Sequence, residues 1–450
     1  MVNKVLIANR GEIAIRIIRA CRELGIRTVA VFSEADRSAL HTHIADEAVC
    51  IGPAASKDSY LNIKAILSAC EITGAQAIHP GFGFLSENAG FARMCEKCKV
   101  IFIGPDASSI DMMGDKAQAK TTMNNANVPC IPGSEGIIDN IEDALDIAHK
   151  IGYPVMVKAT AGGGGRGIRL VHSAKELEAS IIAAKNEAAA FFGNDGIYIE
   201  KFIEDPHHIE IQILADSFGN VVYLGERDCS LQRRNQKVLE EAPSTFVSPH
   251  LRKSMGEAAV RAARACNYKN AGTIEFLVDN KRKFYFMEMN TRVQVEHPIT
   301  EQVTGIDIVK QQILIACGEK LQFTQEDIKI KGHAIECRIN AENPKLNFRP
   351  SPGKIESLHM PGGPGIRIDS AAYQGYVIPS YYDSMIAKLI AYAPTREEAI
   401  KKMHWALAEF LIEGVDTNID YQLEIIKDKD FQDANYDVGF LARKDFAKNM

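Results

Sequence analysis

The sequence predicts an α/β chain, α+β overall, that opens on a parallel sheet and continues into antiparallel strands. Three observations carry this. Short apolar runs alternate with helical periodicity over about the first hundred residues, segments 273–279 and 284–296 alternate their side-chain type residue by residue, and strand, glycine loop and strand follow in order between 154 and 171.

Val5 to Ala8 is apolar, Ile13, Ile17, Ala20 and Leu24 recur at helical spacing, Gly25 can end that helix, and Thr28 to Phe32 is a second apolar run. Strand, helix and strand make a βαβ unit, whose strands run parallel. The first turn, Ala8-Asn9-Arg10-Gly11-Glu12, lacks the G-x-G-x-x-G fingerprint, which argues against a nicotinamide dehydrogenase on a similar fold. Further βα material at Ala77 to His79 and at 100–104 ends near Met113, and a new segment opens at Gly114, Asp115 and Lys116.

Residues 127–136, with two prolines and two glycines, read as a linker into a small inserted piece that ends near Ile199. Inside that piece, Pro154 to Ala159 and Ile168 to Val171 flank a glycine loop at 162–167. Bare amides there can wrap phosphate oxygens with Lys158 beside them; the alternative is a plain hairpin tip. A P-loop would continue into Lys-Ser or Lys-Thr and a helix, which this loop does not. Further on, Arg227, Asp228, Gln232, Arg233, Arg234, Gln236 and Lys237 crowd together among few apolar residues, either as a solvated loop or as an anion-lined pocket.

Over 284–296 the even positions Phe284, Phe286, Glu288, Asn290, Arg292, Gln294 and Glu296 share one face of an extended strand. With 280–283 as a hairpin loop, Asp279 pairs with Phe284, so Glu275 of the preceding strand faces Glu288. Opposed carboxylates repel unless a cation lies between them. Magnesium or manganese on Glu275, Glu288 and Asn290 is one reading, and a solvated sheet face is the other. Near the end, 344–365 is loop-rich, and Thr395 with Glu398 caps a helix whose Ile400, Met403, Leu407, Phe410 and Leu411 share a face.

Composition narrows the function classes. A net charge of −6 and a pI near 6.1 argue against nucleic-acid and membrane-surface partners and favour small-molecule chemistry. Ten scattered cysteines, only Cys95 and Cys98 close together, show no zinc spacing and fit reduced thiols. No run approaches the roughly 20 apolar residues that span a bilayer, and the amino terminus has no signal-peptide pattern, so the expected location is cytoplasmic.

Four motifs in order resemble one family, the ATP-grasp enzymes, and within them the biotin carboxylases. They are Glu288-Met289-Asn290-Thr291-Arg292-Val293-Gln294-Val295-Glu296-His297; Lys158 with the glycine loop; Arg227-Asp228-Cys229-Ser230 leading to Gln236-Lys237; and Glu336-Cys337-Arg338-Ile339-Asn340. The resemblance covers nearly the whole chain. It implies a Rossmann-like N-terminal biotin carboxylase domain at 1–113, an ATP-grasp domain at 114–330 with a mobile glycine-rich lid at about 130–200, and a C-terminal α+β biotin carboxylase domain at 331–450.

It also implies that ATP phosphorylates bicarbonate to carboxyphosphate and that the carboxyl group passes to biotin. Lys116, Lys158, Gly164, Gly165, Glu200, Lys201, Phe202, Ile203, His208, Gln232, Asn235, Glu275 and Glu288 would bind ATP. Glu275, Glu288 and Asn290 would hold two magnesium or manganese ions, and Lys237, Arg292, Gln294 and the Val295 backbone would grip bicarbonate. Glu296 would be the general base, with Lys237 and Arg292 also catalytic, and Arg338 would stabilise the enolate-like oxygen of biotin.

Two positions depart from the family: Asn235 stands where a histidine is usual, and Pro364 where an aromatic is frequent at the dimer contact. The resemblance implies a homodimer through Arg19, Glu23 and Arg367. No Ala-Met-Lys-Met type site is present, so biotin would arrive on a separate biotin carboxyl carrier protein, with carboxyltransferase subunits completing an acetyl-CoA carboxylase. The alternatives are the same subunit of a pyruvate, propionyl-CoA or other acyl-CoA carboxylase, another ATP-grasp carboxylate-amine ligase, and a regulatory nucleotide-binding subunit. Arg338 and the set from Arg292 to Glu296 argue against the last two.

Overall fold

The computed structural model describes residues 2–134, 136–138, 140–159, 168–192 and 195–448; Gly164 and Gly165 lie outside the described residues. The N-terminal sheet is parallel as expected. Its strand order is Glu47–Gly52, Arg27–Ser33, Lys4–Ile7, Ala77–His79 and Ile101–Phe102. Helix Gly11–Glu23 buries Ile13, Ile17 and Ala20 beneath that sheet, and Gly25 ends it in the left-handed region at φ +71°.

Eight antiparallel strands form the central sheet. In order they are Phe284–Asn290, Asn270–Val278, His207–Ala215, Val221–Arg233, Gln236–Ala242, His333–Asn340, Met385–Ala393 and Ile366–Ser370. The sheet runs unbroken across residue 330, because Leu239 to Ala242 pair with Cys337 to Ala334. Strand His207–Ala215 is buried along its whole length and shows why the sheet can carry chemistry. Its odd residues Ile209, Ile211 and Ile213 pack with helix Pro249–Ala265, which leaves Glu210 and Gln212 on the opposite face.

The inserted piece is a three-stranded sheet, with Val155–Ala159 between Ile168–Val171 and Ile197–Lys201, covered by helices Ile141–Ile151 and Ala174–Phe192. The stretch read as a linker does more than connect. Pro129 O accepts from Phe286 N at 2.6 Å and Pro132 O from Lys201 N at 2.7 Å, so it is bonded to both sheets. Gly133 is required there, since a Cβ would lie 2.3 Å from Ile199 O.

Three expectations are corrected. The crowded polar stretch from Arg227 to Lys237 is a strand hairpin, not a loop: Val221–Arg233 and Gln236–Ala242 meet at Arg234 and Asn235, both left-handed at φ 50° and 64°. The second alternating strand ends at Asn290, not Glu296. A bulge between Glu275 and Phe276 in the register also breaks its parity, which puts Phe286 and Met289 together in the core. Helix Arg396–Glu409 is N-capped by Thr395 and buries Ile400, Met403 and Leu407, but Phe410 only caps it and Leu411 begins an exposed strand. Among the described residues, no helix is long and apolar enough to cross a membrane.

Candidate active site

Despite the bulge, Glu275 does pair with Glu288, and the pairing continues across the sheet. Glu288, Glu275, Glu210 and Arg227 are successive register partners on four strands. Three carboxylates in a row need cations, and two buried side chains provide them. Arg227, fully buried, donates to Gln212 Oε1 at 2.8 Å, Thr300 Oγ1 at 2.9 Å, Thr273 Oγ1 at 3.1 Å and Gln294 Oε1 at 2.8 Å, and its Nε to Glu210. Lys237 Nζ reaches Glu210 at 2.6 Å, Glu275 at 3.1 Å and Glu296 at 2.5 Å. Burial opposes its charge, but these carboxylates outweigh burial and hold the ammonium well above its usual pKa.

Glu275 Oε1 also accepts from Asn290 Nδ2 at 2.9 Å and Gln294 Nε2 at 2.7 Å. Its Oε2 lies 2.9 Å from His208 Nε2, while Gln232 Nε2 approaches His208 Nδ1 at 2.6 Å. Burial alone would raise the Glu275 carboxyl; Lys237 and His208 hold it well below the usual range. Glu288 is the opposite case. Glu288 is solvent-exposed at the end of the row, yet partial enclosure in the cleft and the charge of Glu275 push it up, and Lys116, at the start of helix Lys116–Asn125, and His208 offset this only in part. Two facing oxygen donors with too little positive charge between them, and the Asn290 amide alongside, fit a divalent cation.

The chain leaves the sheet after Asn290 and the following residues are tied to several separate parts of the chain. Glu87 accepts from Thr291 N at 3.0 Å and from Arg292 Nε at 2.8 Å, while Arg292 Nη2 donates to Asn290 Oδ1 at 2.8 Å. Val295 O accepts from Lys388 Nζ at 2.8 Å. Glu296 pairs with Lys237 and, at 3.0 Å, with Arg338 Nη2, rather than with Arg292. Burial raises the Glu296 carboxyl, but Lys237, Arg338 and Arg227 outweigh it and keep the group ionised.

A cleft of about 900 Å³ lies along this face. Lys158, Lys201, Phe202, Ile203, His208, Gln232, Asn235, Lys237, Glu275, Glu288, Asn290, Arg292, Gln294, Val295, Glu296 and Arg338 all line it. Its wall also includes the apolar Met156, Leu277 and Met287, a slot suited to a flat ring. Lys116 and Glu200 stand off the wall. Glu200 instead accepts from Lys158 at 2.7 Å and Lys120 at 3.4 Å. The Lys201 ammonium is spent on the carbonyls of Gly152 and Tyr153. Arg367, expected at a dimer contact, pairs within the chain with Asp369 at 2.7 Å and Glu301 at 2.7 Å.

Sequence reading missed Glu87, Lys120, Glu210 and Lys388 as parts of this centre, and had Arg227 only within the crowded polar stretch and its motif. Glu210 was recoverable, since Ile209, Ile211 and Ile213 alternate with it in the same way as the strands that were noticed. Lys388, in an apolar run, carried no such signal. It is fully buried and bridges Glu12 at 3.1 Å and Asp369 at 3.7 Å.

Fold and site together define an ATP-dependent ligase of the ATP-grasp class. Residues 1–110 match the biotin carboxylase N-terminal domain, 115–324 the carbamoyl-phosphate synthase L chain ATP-binding domain, and 336–443 the biotin carboxylase C-terminal domain. The chain belongs to the biotin carboxylase family. It is 58% identical to biotin carboxylase 1 of Bacillus subtilis over 99% of both chains, and 56% identical to biotin carboxylase of Haemophilus influenzae over 99% of both. Among solved structures it is similar to a Campylobacter jejuni biotin carboxylase in a β,γ-ATP complex (TM-score 0.92, 50% identity, 99% of each chain covered). It is also similar to the biotin carboxylase domain dimer of a Hydrogenobacter thermophilus 2-oxoglutarate carboxylase in complex with MgADP, ADP and bicarbonate (TM-score 0.91, 53% identity, 98% of each covered).

Two outcomes follow from the charge network. Lys388→Met removes the cation shared by Glu12 and Asp369 and the donor to Val295, so chemical unfolding should show a loss of roughly 3–5 kcal/mol; an unchanged midpoint would refute this. Glu241, where Arg396 and His333 overcome burial, Glu296 and Asp369 all have depressed carboxyl pKa values. Their stabilisation is complete above the unfolded carboxyl values of 4.5 and 3.8, begins to fall there, and is lost as pH drops on through the lower folded values. Thermal midpoints should therefore decline below about pH 4.5, and a flat acid limb would contradict the pairing.

Proposed function

We propose that this chain carboxylates biotin carried on a separate biotin carboxyl carrier protein, using ATP and bicarbonate, as the first half-reaction of an acetyl-CoA carboxylase in the cytoplasm. The observation that carries the reading is Glu296, ionised and held between Lys237 at 2.5 Å and Arg338 at 3.0 Å at the wall of the cleft. A general base must be ionised before it acts, and its strength must rise when substrate arrives. Bicarbonate, an anion, competes for Lys237; once that ammonium turns to it, burial acts on Glu296 with less opposition and raises its proton affinity.

Lys237, Arg292, Gln294 and the Val295 backbone hold bicarbonate, while Lys116, Lys158, Gly164 and Gly165 neutralise or wrap the phosphates. Phe202, Ile203 and the apolar slot take the adenine, with Glu200, Lys201, His208, Gln232 and Asn235 around the nucleotide. Magnesium or manganese on Glu275, Glu288 and Asn290 would neutralise charge on the phosphate oxygens. Glu296 takes the bicarbonate proton as a bicarbonate oxygen attacks the γ-phosphorus; the bond to ADP breaks and carboxyphosphate forms. Its C–O bond then breaks to give carbon dioxide and phosphate. Phosphate removes the ureido proton of biotin, and Arg338 stabilises the enolate-like oxygen while nitrogen bonds to carbon dioxide.

Pairing as a homodimer and assembly with carboxyltransferase subunits complete the reading. A second acceptor is supported by the structural neighbours, whose titles name 2-oxoglutarate carboxylase and pyruvate carboxylase. Co-purification with one carboxyltransferase decides between acceptors. The central test is ADP release with free biotin and bicarbonate, which should require both; release without either would overturn the assignment. Arg338→Ala should cut carboxybiotin formation by about a hundredfold while leaving nucleotide affinity nearly intact, and equal loss of both would remove Arg338 from the chemistry.

A further inference from the structure

Behind Arg338, the same sheet face carries two carboxyl groups that the proposed reaction does not use. Glu240 and Glu336 are direct register partners on adjacent antiparallel strands, and neither is exposed. Glu240 Oε1 takes Arg338 Nε at 2.6 Å and Nη2 at 2.5 Å. Glu240 Oε2 and both oxygens of Glu336 have no hydrogen-bond partner among the described residues. Opposed β-carbons on paired strands are about 5 Å apart, so two ionised carboxylates would repel and leave three buried acceptors without a donor.

The surrounding cations are already engaged. Lys388, the register partner of Arg338, serves Val295 O, Glu12 and Asp369, and Lys237 serves Glu210, Glu275 and Glu296. Helix His297–Thr304 packs over strand His333–Asn340 and carries His297, which burial keeps neutral, and Glu301, which is paired with Arg16 and Arg367. Cys337 points to the other face, into the core with Ile335 and Ile339. Burial raises the Glu240 carboxyl to about 7 even beside Arg338, and Glu336 well above the usual range.

We propose that Glu240 and Glu336 share one proton, and that this dyad is a positioning element that aims Arg338 and leaves its charge available to negative charge developing in the cleft. This rests on the role given to Arg338 above. With both groups ionised, the guanidinium would face Glu240, Glu336 and Glu296 together and have little attraction left for an oxyanion. With one proton on the dyad, the carboxyl hydrogen bonds across the strands, Glu240 Oε1 keeps its grip on Arg338, and one anionic charge is removed.

The test uses infrared spectroscopy and pH profiles of the full chain. At neutral pH the wild type should show a buried protonated-carboxyl stretch that shifts in heavy water and disappears in Glu336→Gln. Biotin-dependent ATP cleavage should fall on the alkaline side as the dyad loses its proton. Glu336→Gln, whose amide donates but cannot ionise, should move that limb to higher pH. Glu336→Ala should lower biotin-dependent turnover about tenfold, as expected for one lost buried hydrogen bond, with ADP affinity unchanged, and the Gln variant should restore it. Absence of the band, or superimposable profiles for wild type and Glu336→Gln, would overturn the proposal even if the alanine variant fails to fold. Failure of the Arg338 role is read separately, from carboxybiotin formation by Arg338→Ala.

Discussion

The centre depends on one electrostatic constraint, the row of Glu288, Glu275 and Glu210 in register across three strands. Glu210 and Glu275 are buried and Glu288 is exposed, and the buried pair is untenable without positive charge threaded through it. Arg227 closes one end from a fourth strand and Lys237 crosses from a fifth, and once these are fixed the positions of Gln294 and Glu296 follow. The open end, at Glu288, is where charge is still lacking. The sheet therefore has a built-in gradient, from fully neutralised at Arg227 to anionic at Glu288, and in the proposed reaction that gradient would orient a metal-bound phosphate chain.

The segment after Asn290 is irregular but not loose. Glu87, Arg227 and Lys388 come from three different parts of the chain and hold Thr291 and Arg292, Gln294, and Val295 respectively. A loop anchored at several points from distant parts of the chain presents its groups at fixed positions before substrate arrives, and such preorganisation is a main source of catalytic power for phosphoryl transfer.

The N-terminal parallel sheet was legible from its apolar runs because a buried parallel strand needs little else. The opposition of Glu275 and Glu288 was expected from a hairpin pairing Asp279 with Phe284; Val278 pairs with Phe284 instead, and the bulge between Glu275 and Phe276 makes up the one-residue offset. Alternation failed where the backbone departed from its period. The bulge beside Glu275 moved Phe286 into the core, and beyond Asn290 there was no strand for parity to describe. The polar hairpin around Asn235 was misread because its strands carry charges inward, against Arg227 and Lys237, instead of an apolar stripe. Lys388 and Glu336 were invisible as site residues for a related reason: their partners lie far away in sequence, and only the folded sheet brings them together.

The unbroken sheet across residue 330 makes the chain's segments unequal as exchangeable parts. Separating the chain between strands Gln236–Ala242 and His333–Asn340 would bare two long edges, each ready to pair with any other extended chain. The three-stranded insert meets the rest through the short stitches at Pro129, Pro132 and Ser134, and it keeps a core of its own. Recombination between relatives is therefore tolerated best at the insert and least at the seam of the large sheet, so the insert can diversify while the large sheet is inherited as a block.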